Sequence, residues 1–306
     1  MDWSADLDCK IMNRTAIILF GRLPVPGKVK TRLAKSFGDK SACEVYKDMC
    51  ENIVTEAVKS TASVIFMCSE SSEVPEVKKW LRPFANPSWK HITVRPQVEG
   101  DLGARITHAF LQAFEDGCDE VIVAGTDIPD LSLDTFTLAF LHLQSFDVVI
   151  GPSEDDGYYL IGMHRKAMFE GNKDVVRKLF KSIHWSTSLV YRDQVSTAYK
   201  LELSVSPYKC LPVLIDIDTK QDAELWIERV QRSPNIQENA SSSSSSSSGA
   251  SAAAGDRGET SSTSSKGGKD YYKRIYHKIK SHFPNAEQEH SISFNIAEKF
   301  KLLLTR

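Results

Sequence analysis

Short, continuous apolar runs alternate with helix-like segments over the first 232 residues. Runs such as 15–20 (TAIILF) and 120–125 (EVIVAG) lack the period of a half-exposed strand, so they predict strands buried on both faces. The other predicted strands are 63–68, 91–95, 147–151 and 211–216. Apolar residues at helical spacing predict helices within 41–59 and 101–116. This alternation predicts an α/β fold, a three-layer α/β/α sandwich with a mostly parallel sheet and ligand sites at the strands' carboxyl ends.

Charge and cysteine usage narrow the class of protein. A net charge of −2 argues against a nucleic-acid partner. No apolar run approaches the roughly 18 residues that a transmembrane helix needs, and the acidic N-terminal stretch lacks the apolar core of a secretory signal. The six cysteines are scattered, without a C-x-x-C pair or a zinc-like spacing, which suits a reducing compartment. We therefore expect a cytoplasmic protein.

Composition divides the chain into four parts. Residues 1–13 form an N-terminal extension, and 14–232 hold the predicted α/β domain. Residues 233–270 include eight consecutive serines and almost no apolar side chains, which predicts a disordered linker. The tail, 271–306, is basic and has apolar residues at helical spacing. This tail either docks back on the domain or binds a protein partner or a membrane surface.

Cations cluster directly after the first predicted strand, in the segment 19–33 (LFGRLPVPGKVKTRL). Gly21 and Gly27 allow the backbone to approach a ligand, and the prolines stiffen the loop. The cations are Arg22, Lys28, Lys30 and Arg32. A buried strand that leads into a glycine-containing cationic loop is typical of a phosphate site. The alternative is a solvated basic loop.

Carboxylates follow other predicted strands. Asp127 follows a buried strand, where it could hold Mg²⁺ or Mn²⁺ against a diphosphate bound by the cationic loop. Asp218 is a second candidate metal ligand, or it caps the helix that follows. Glu154, Asp155 and Asp156 could complete the metal shell, bind acceptor hydroxyls or act as a base. The alternative for these three is an acidic surface hairpin.

Six motifs, in order, resemble one family. They are FGRLPVPGKVKTRL (20–33), QVEGDLGAR (97–105), GTDIPDL (125–131), GPSEDDGYYLIG (151–162), WST (185–187) and DIDT (216–219). Together they resemble DUF2064, a group of GT-A-type, nucleotide-diphospho-sugar transferase-like glycosyltransferases whose bacterial forms occur beside radical-SAM and arsenosugar genes. The group is also related to guanylyltransferases that act on phospho-acids. The resemblance covers about residues 14–232.

The resemblance implies a GT-A fold, a nucleotide-activated donor and a small-molecule acceptor, with Mg²⁺ or Mn²⁺ as cofactor. The implied nucleotide-binding residues are Gly21, Arg22, Gly27, Lys28, Lys30, Arg32, Gln97, Asp101, Gly103 and Arg105. The implied acceptor-binding residues are Asp155, Gly157, Tyr158, Tyr159 and Trp185. The implied metal ligand is Asp127, and Asp218 is the second candidate. The catalytic candidates are Asp127, Asp155, Asp156 and Lys28.

Two positions depart from the family's pattern. Arg22 stands where lysine is usual, which keeps the charge but changes the geometry of its hydrogen bonds. Asp156 stands where glycine is usual. If that glycine has a positive φ or lets substrate approach closely, Asp156 is either strained or alters the choice of acceptor. The expected function is a metal-dependent glycosyltransferase. The alternatives are a nucleotidyltransferase that releases pyrophosphate and a nucleotide-binding protein without turnover.

Overall fold

The computed structural model describes residues 14–85, 92–168 and 171–232. The predicted N-terminal extension, serine-rich linker and basic tail (1–13, 233–270 and 271–306) lie outside the described residues. Within the described ranges, no helix combines the length and the apolar character needed to cross a membrane.

The described residues form one six-stranded sheet in the spatial order β3-β2-β1-β4-β6-β5. The strands are β1 (Thr15–Gly21), β2 (Ser63–Cys68), β3 (Ile92–Pro96), β4 (Glu120–Gly125), β5 (Val148–Pro152) and β6 (Tyr158–His164). β1 pairs in parallel with both β2 and β4, and β2 pairs in parallel with β3. β6 runs antiparallel to both of its neighbours. The predicted mostly parallel sheet is confirmed.

Helices cover both faces of this sheet. They are α1 (Thr31–Phe37), α2 (Asp39–Lys59), α3 (Val74–Leu81), α4 (Leu102–Glu115), α5 (Leu133–Leu143), α6 (Asp174–Leu179), α7 (Val190–Lys200) and α8 (Lys220–Gln231). Side chains of β1 alternate between the faces, as the strand period requires. Ile17 and Leu19 join one apolar cluster with α2, α3 and α5, while Ala16 and Ile18 join another with α4, α6 and α7. The two clusters make the predicted three-layer sandwich.

The strand predicted over 211–216 is wrong. In that segment Leu214 forms only an isolated bridge to Ser153. Pro212 has no N–H group to donate, so a regular ladder cannot extend through it. Two hydrogen bonds remain, from the Leu214 N–H to the Pro152 carbonyl (3.2 Å) and from the Glu154 N–H to the Leu214 carbonyl (3.0 Å). They hold the segment at the end of β5.

Candidate active site

The candidate site lies at the carboxyl ends of the parallel strands. β1 and β4 are neighbours there, but the chain leaves β1 toward β2 and leaves β4 toward the opposite side of the sheet. Such a reversal opens a crevice where α/β proteins bind ligands. A cavity of about 640 Å³ occupies it. We call it the cationic cavity; the predicted residues that line it are Gly21, Arg22, Lys28, Lys30, Arg32, Gln97, Arg105, Asp127 and Asp218.

Contacts with Phe66 and Tyr46 hold the start of the cationic loop (residues 19–33) in place. A Cβ atom on Gly21 would clash with the ring of Phe66, so only glycine fits there. The Arg22 N–H donates to the hydroxyl of buried Tyr46 (2.8 Å), and that hydroxyl lies 3.2 Å from Thr126 Oγ1. Tyr46 thereby ties the loop to the end of β4. Sequence analysis did not identify Tyr46 as a site residue. The only indication of its role in the sequence is a tyrosine hydroxyl beside the apolar stripe of the helix that forms α2.

Lys30 turns its ammonium group toward carboxylates. Its Nζ lies 2.8 Å from Asp127 Oδ2, 3.2 Å from Asp216 Oδ1 and 3.5 Å from Asp218 Oδ1, and its side chain is 6% exposed. Burial alone would lower the pKa of Lys30, but the three carboxylates outweigh this effect and raise it. In this structure Lys30 is therefore a counter-ion of the carboxylates, although it lies in the loop predicted to bind phosphate.

Asp216 is a member of this cluster that sequence analysis did not place in the site. Burial and the negative charge of Asp127 raise the pKa of Asp216 to about 7, against the opposing effect of Lys30. The Ile217 N–H donates to the Asp127 carbonyl (3.2 Å), which holds the DIDT segment against the end of β4. The available signal was the carboxylate two positions before Asp218 in that motif.

The three carboxylates have the donor chemistry that Mg²⁺ and Mn²⁺ prefer. Such ions take one or two carboxylates and complete their shell with water and phosphate oxygens. The centre of the cluster is filled by Lys30 Nζ, and among the described residues no group of three or more His, Cys, Asp or Glu has a metal-holding geometry. Asp127 and Asp218 offer the oxygen ligands that a divalent cation takes, but in this structure Lys30 Nζ contacts both of them.

The segment 97–105 forms one wall of the cationic cavity. Gln97 Nε2 donates to the Met67 carbonyl (2.8 Å), and Gln97 Oε1 accepts from Arg105 Nη1 (3.0 Å). Asp101 caps α4 by accepting from the Ala104 N–H (2.8 Å), and it does not line the cavity. From this segment Gln97, Gly100, Leu102 and Arg105 line the cavity, whereas Asp101 has a capping role.

A second cavity of about 530 Å³ adjoins the first and shares Arg32, Leu102 and Asp218 with it. All five predicted acceptor residues line it: Asp155, Gly157, Tyr158, Tyr159 and Trp185. We call it the acidic cavity, because its lining contains three aspartates (Asp155, Asp216 and Asp218) and one basic residue, Arg32. Arg32 Nη1 is already paired with Asp218 Oδ2 at 2.8 Å. The two cavities therefore form one cleft whose halves have opposite charge.

Comparisons with known proteins bear on the family and on the fold. Residues 54–187 match the family model of DUF2064, described as "Uncharacterized protein conserved in bacteria". The resemblance to DUF2064 is thereby confirmed. The cationic loop and the DIDT segment lie outside the matched residues. No curated protein matches the sequence.

Solved structures share the fold. The crystal structure of a "putative nucleotide-diphospho-sugar transferase" from Desulfovibrio desulfuricans G20 superimposes with a TM-score of 0.65 and 25% sequence identity, covering 89% of this chain and 99% of that one. A 4-diphosphocytidyl-2C-methyl-D-erythritol synthase from Anaerococcus prevotii DSM 20548 superimposes with a TM-score of 0.44 and 13% identity, over 69% of this chain and 94% of that one. The first of these superpositions shows that the fold is of the nucleotide-diphospho-sugar transferase type.

The loop between β5 and β6 contains Asp156, the position that departs from the DUF2064 pattern. Glu154 pairs with Arg229, and Asp155 Oδ1 accepts from the Gly157 N–H (3.1 Å). Asp156 has φ 63°, a left-handed conformation that glycine adopts freely and that aspartate adopts more readily than most residues. Its side chain lines neither cavity of the cleft. The substitution therefore places strain in the backbone of the loop.

Gly103 of the DUF2064 motif acts through packing. A Cβ atom there would lie 2.5 Å from the Phe180 carbonyl oxygen and 3.2 Å from Trp185 Nε1. The bare glycine lets the first turn of α4 lie against Trp185, whose ring contacts Tyr158 edge-on at 6.3 Å between centroids. Gly27 and Gly103 line neither cavity, in contrast to Gly21.

Proposed function

We propose that this protein is a metal-dependent glycosyltransferase that uses a nucleotide-sugar donor and a small-molecule acceptor. The observation that carries the proposal is the pair of adjoining cavities with opposite charge, which meet at Arg32 and Asp218. A diphosphate requires cations, and an acceptor hydroxyl requires a nearby carboxylate to orient it or take its proton. Two substrates bound in the two halves would meet at the junction.

The cationic cavity is the proposed site of the donor. Arg22 and Lys28 are exposed along its loop, and Arg105 is half-buried in its opposite wall. These groups can donate charge-assisted hydrogen bonds to phosphate oxygens, which are stronger than neutral ones. Arg32 stands at the junction, where it would stabilise the negative charge that builds on the leaving diphosphate.

The proposed metal ion, held by Asp127 and Asp218, would supply further charge neutralisation to the diphosphate. Lys30 would then be free to donate to phosphate, because the metal ion would replace it as the counter-ion of Asp127 and Asp218. Asp155 is the proposed residue that positions the acceptor hydroxyl. Its Oδ1 accepts from Ser153 Oγ and from the Gly157 N–H, while Oδ2 has no hydrogen-bond partner among the described residues.

We also propose a cytoplasmic location. The described cysteines, Cys43, Cys50, Cys68, Cys118 and Cys210, are all free thiols. Free thiols in an α/β domain are usual in a reducing compartment, which supports this part of the proposal.

Thermal shift with a panel of sugar nucleotides and nucleoside triphosphates, with Mg²⁺ or Mn²⁺ and with EDTA, tests donor binding. A ligand that binds only the native state raises the melting temperature, so we expect a shift with at least one sugar nucleotide and metal. Asp127→Asn should abolish the metal-dependent part of the shift, whereas Asp134→Asn, an exposed position outside both cavities, should retain it. The absence of any shift in the wild type would contradict the proposal.

A further inference from the structure

We infer that the acceptor is a neutral polyhydroxylated molecule, and that the cleft excludes acceptors with a phosphate or carboxylate group. This inference rests on the proposed transferase function and adds the chemical class of its second substrate. It comes from the charges and hydroxyl groups that line the acidic cavity.

Among the described residues, the lining of the acidic cavity contains three carboxylates and a single cation. Arg32 is that cation; its Nη1 is paired with Asp218 Oδ2 at 2.8 Å, and the proposed function assigns its guanidinium to the diphosphate of the donor. Asp155 adds negative charge to the same wall. An anionic group bound here would lie beside like charges and would lose its water without gaining a partner, and both effects disfavour binding.

The same lining suits alcohol groups. An ionised carboxylate only accepts hydrogen bonds, and an alcohol can donate one to it while accepting another. Ser186 and Ser188 are exposed in the cavity, and their side chains form no hydrogen bond with other described residues. Half-buried Trp185 adds an apolar ring surface, which the carbon skeleton of a polyol can cover.

The charge of the neighbouring cationic cavity further favours neutral acceptors over phosphorylated ones. Arg22, Lys28 and Arg105 line it and are absent from the lining of the acidic cavity. A free phosphate ester would therefore be drawn to the donor's half of the cleft and would compete with the donor. The cleft thus separates its substrates by charge, with phosphates on one side and hydroxyl groups on the other.

The first test measures the potential inside the acidic cavity and needs no known acceptor. Fluorescence quenching by caesium, iodide and acrylamide is compared between the wild type and Trp185→Phe, so that the difference reports Trp185 alone. We expect caesium to quench Trp185 more strongly than iodide after both are normalised to acrylamide. Stronger quenching by iodide would overturn the inference. Trp185→Tyr serves the same subtraction if the phenylalanine variant does not fold.

The second test uses matched acceptors with the full-length protein and its donor. Glycerol and glucose are compared with glycerol 3-phosphate and glucose 6-phosphate, with release of nucleoside diphosphate as the signal. We expect each neutral compound to exceed its phosphate in kcat/KM by about tenfold or more, the size of effect that like-charge contacts produce. Equal or better use of the phosphate would overturn the inference. If none of the four is an acceptor, the quenching result decides.

A charge variant separates the inference from the proposed function. Ser188→Lys places a cation in the acidic cavity and should shift the preference toward the phosphorylated acceptor. Ser71→Lys is the matched control at an exposed site outside the cleft and should leave the preference unchanged. Release of pyrophosphate from a nucleoside triphosphate would refute the glycosyltransferase proposal itself. Release of nucleoside diphosphate with a phosphorylated acceptor would refute only the acceptor class.

Discussion

Replacing Lys30 by methionine tests whether the carboxylate cluster depends on an internal counter-ion. Methionine keeps most of the length and apolar stem of lysine and removes only the ammonium group. Three carboxylates would then face one another, with Asp127, Asp216 and Asp218 each within 3.5 Å of the lost charge. Their mutual repulsion should make the folded state less stable.

The magnitude follows from burial. Removing one partner from a buried ion pair costs about 3–5 kcal/mol. The Lys30 side chain is 6% exposed, but the three carboxylates are 29–38% exposed, so water screens part of the repulsion. We therefore expect Lys30→Met to lower the free energy of unfolding by about 2–3 kcal/mol. In a domain of this size, such a loss lowers the melting temperature by about 4–12 °C.

Urea denaturation and calorimetry measure both quantities. Lys28→Met is the matched control, because Lys28 lies in the same loop but is exposed, and its substitution should change stability by less than about 0.5 kcal/mol. Added Mg²⁺ should stabilise Lys30→Met more than the wild type, since the cluster then lacks its buried ammonium group and keeps only the exposed Arg32. If Lys30→Met were as stable as Lys28→Met, the ammonium group would not hold the cluster together.

Three further predictions concern single positions. Lys28→Ala and Arg32→Ala should each weaken nucleotide binding by about 1.5–3 kcal/mol, measured by isothermal titration calorimetry. Unchanged affinity in both variants would mean that the cationic loop is only a solvated surface loop. Asp156→Gly should raise the free energy of unfolding by up to about 1 kcal/mol, since φ 63° suits glycine; a less stable variant in urea would contradict the strain. Gly103→Ala should lower it by about 1–3 kcal/mol, because the Cβ meets the Phe180 carbonyl; an unchanged melting temperature would refute this packing argument.

The sheet could be predicted because its strands are buried on both faces. Continuous apolar runs predicted β1, β2 and β4 at or within one residue of their observed bounds. The antiparallel direction of β6 went unpredicted, although the loop between Pro152 and Tyr158 is too short for a parallel crossover. The strand predicted over 211–216 failed because its apolar residues pack without forming a ladder.

The site could be predicted by segment, but not by the role of each side chain. Lys28 and Lys30 are equivalent in the sequence, yet one is exposed and the other is buried among carboxylates. That difference depends on Asp127 and Asp216, which are distant in the chain and meet only after folding. Gly103 likewise has its packing role only because Phe180 and Trp185 come to lie beside it.

The most direct test of the central proposal is identification of the phosphorus-containing product by ³¹P NMR. The protein is incubated with the sugar nucleotide that stabilises it, Mg²⁺ or Mn²⁺ and a neutral polyol. We expect nucleoside diphosphate to accumulate in step with the glycosylated acceptor and to be absent with Asp127→Asn. Pyrophosphate formed from a nucleoside triphosphate, with no nucleoside diphosphate from any sugar nucleotide, would contradict the account.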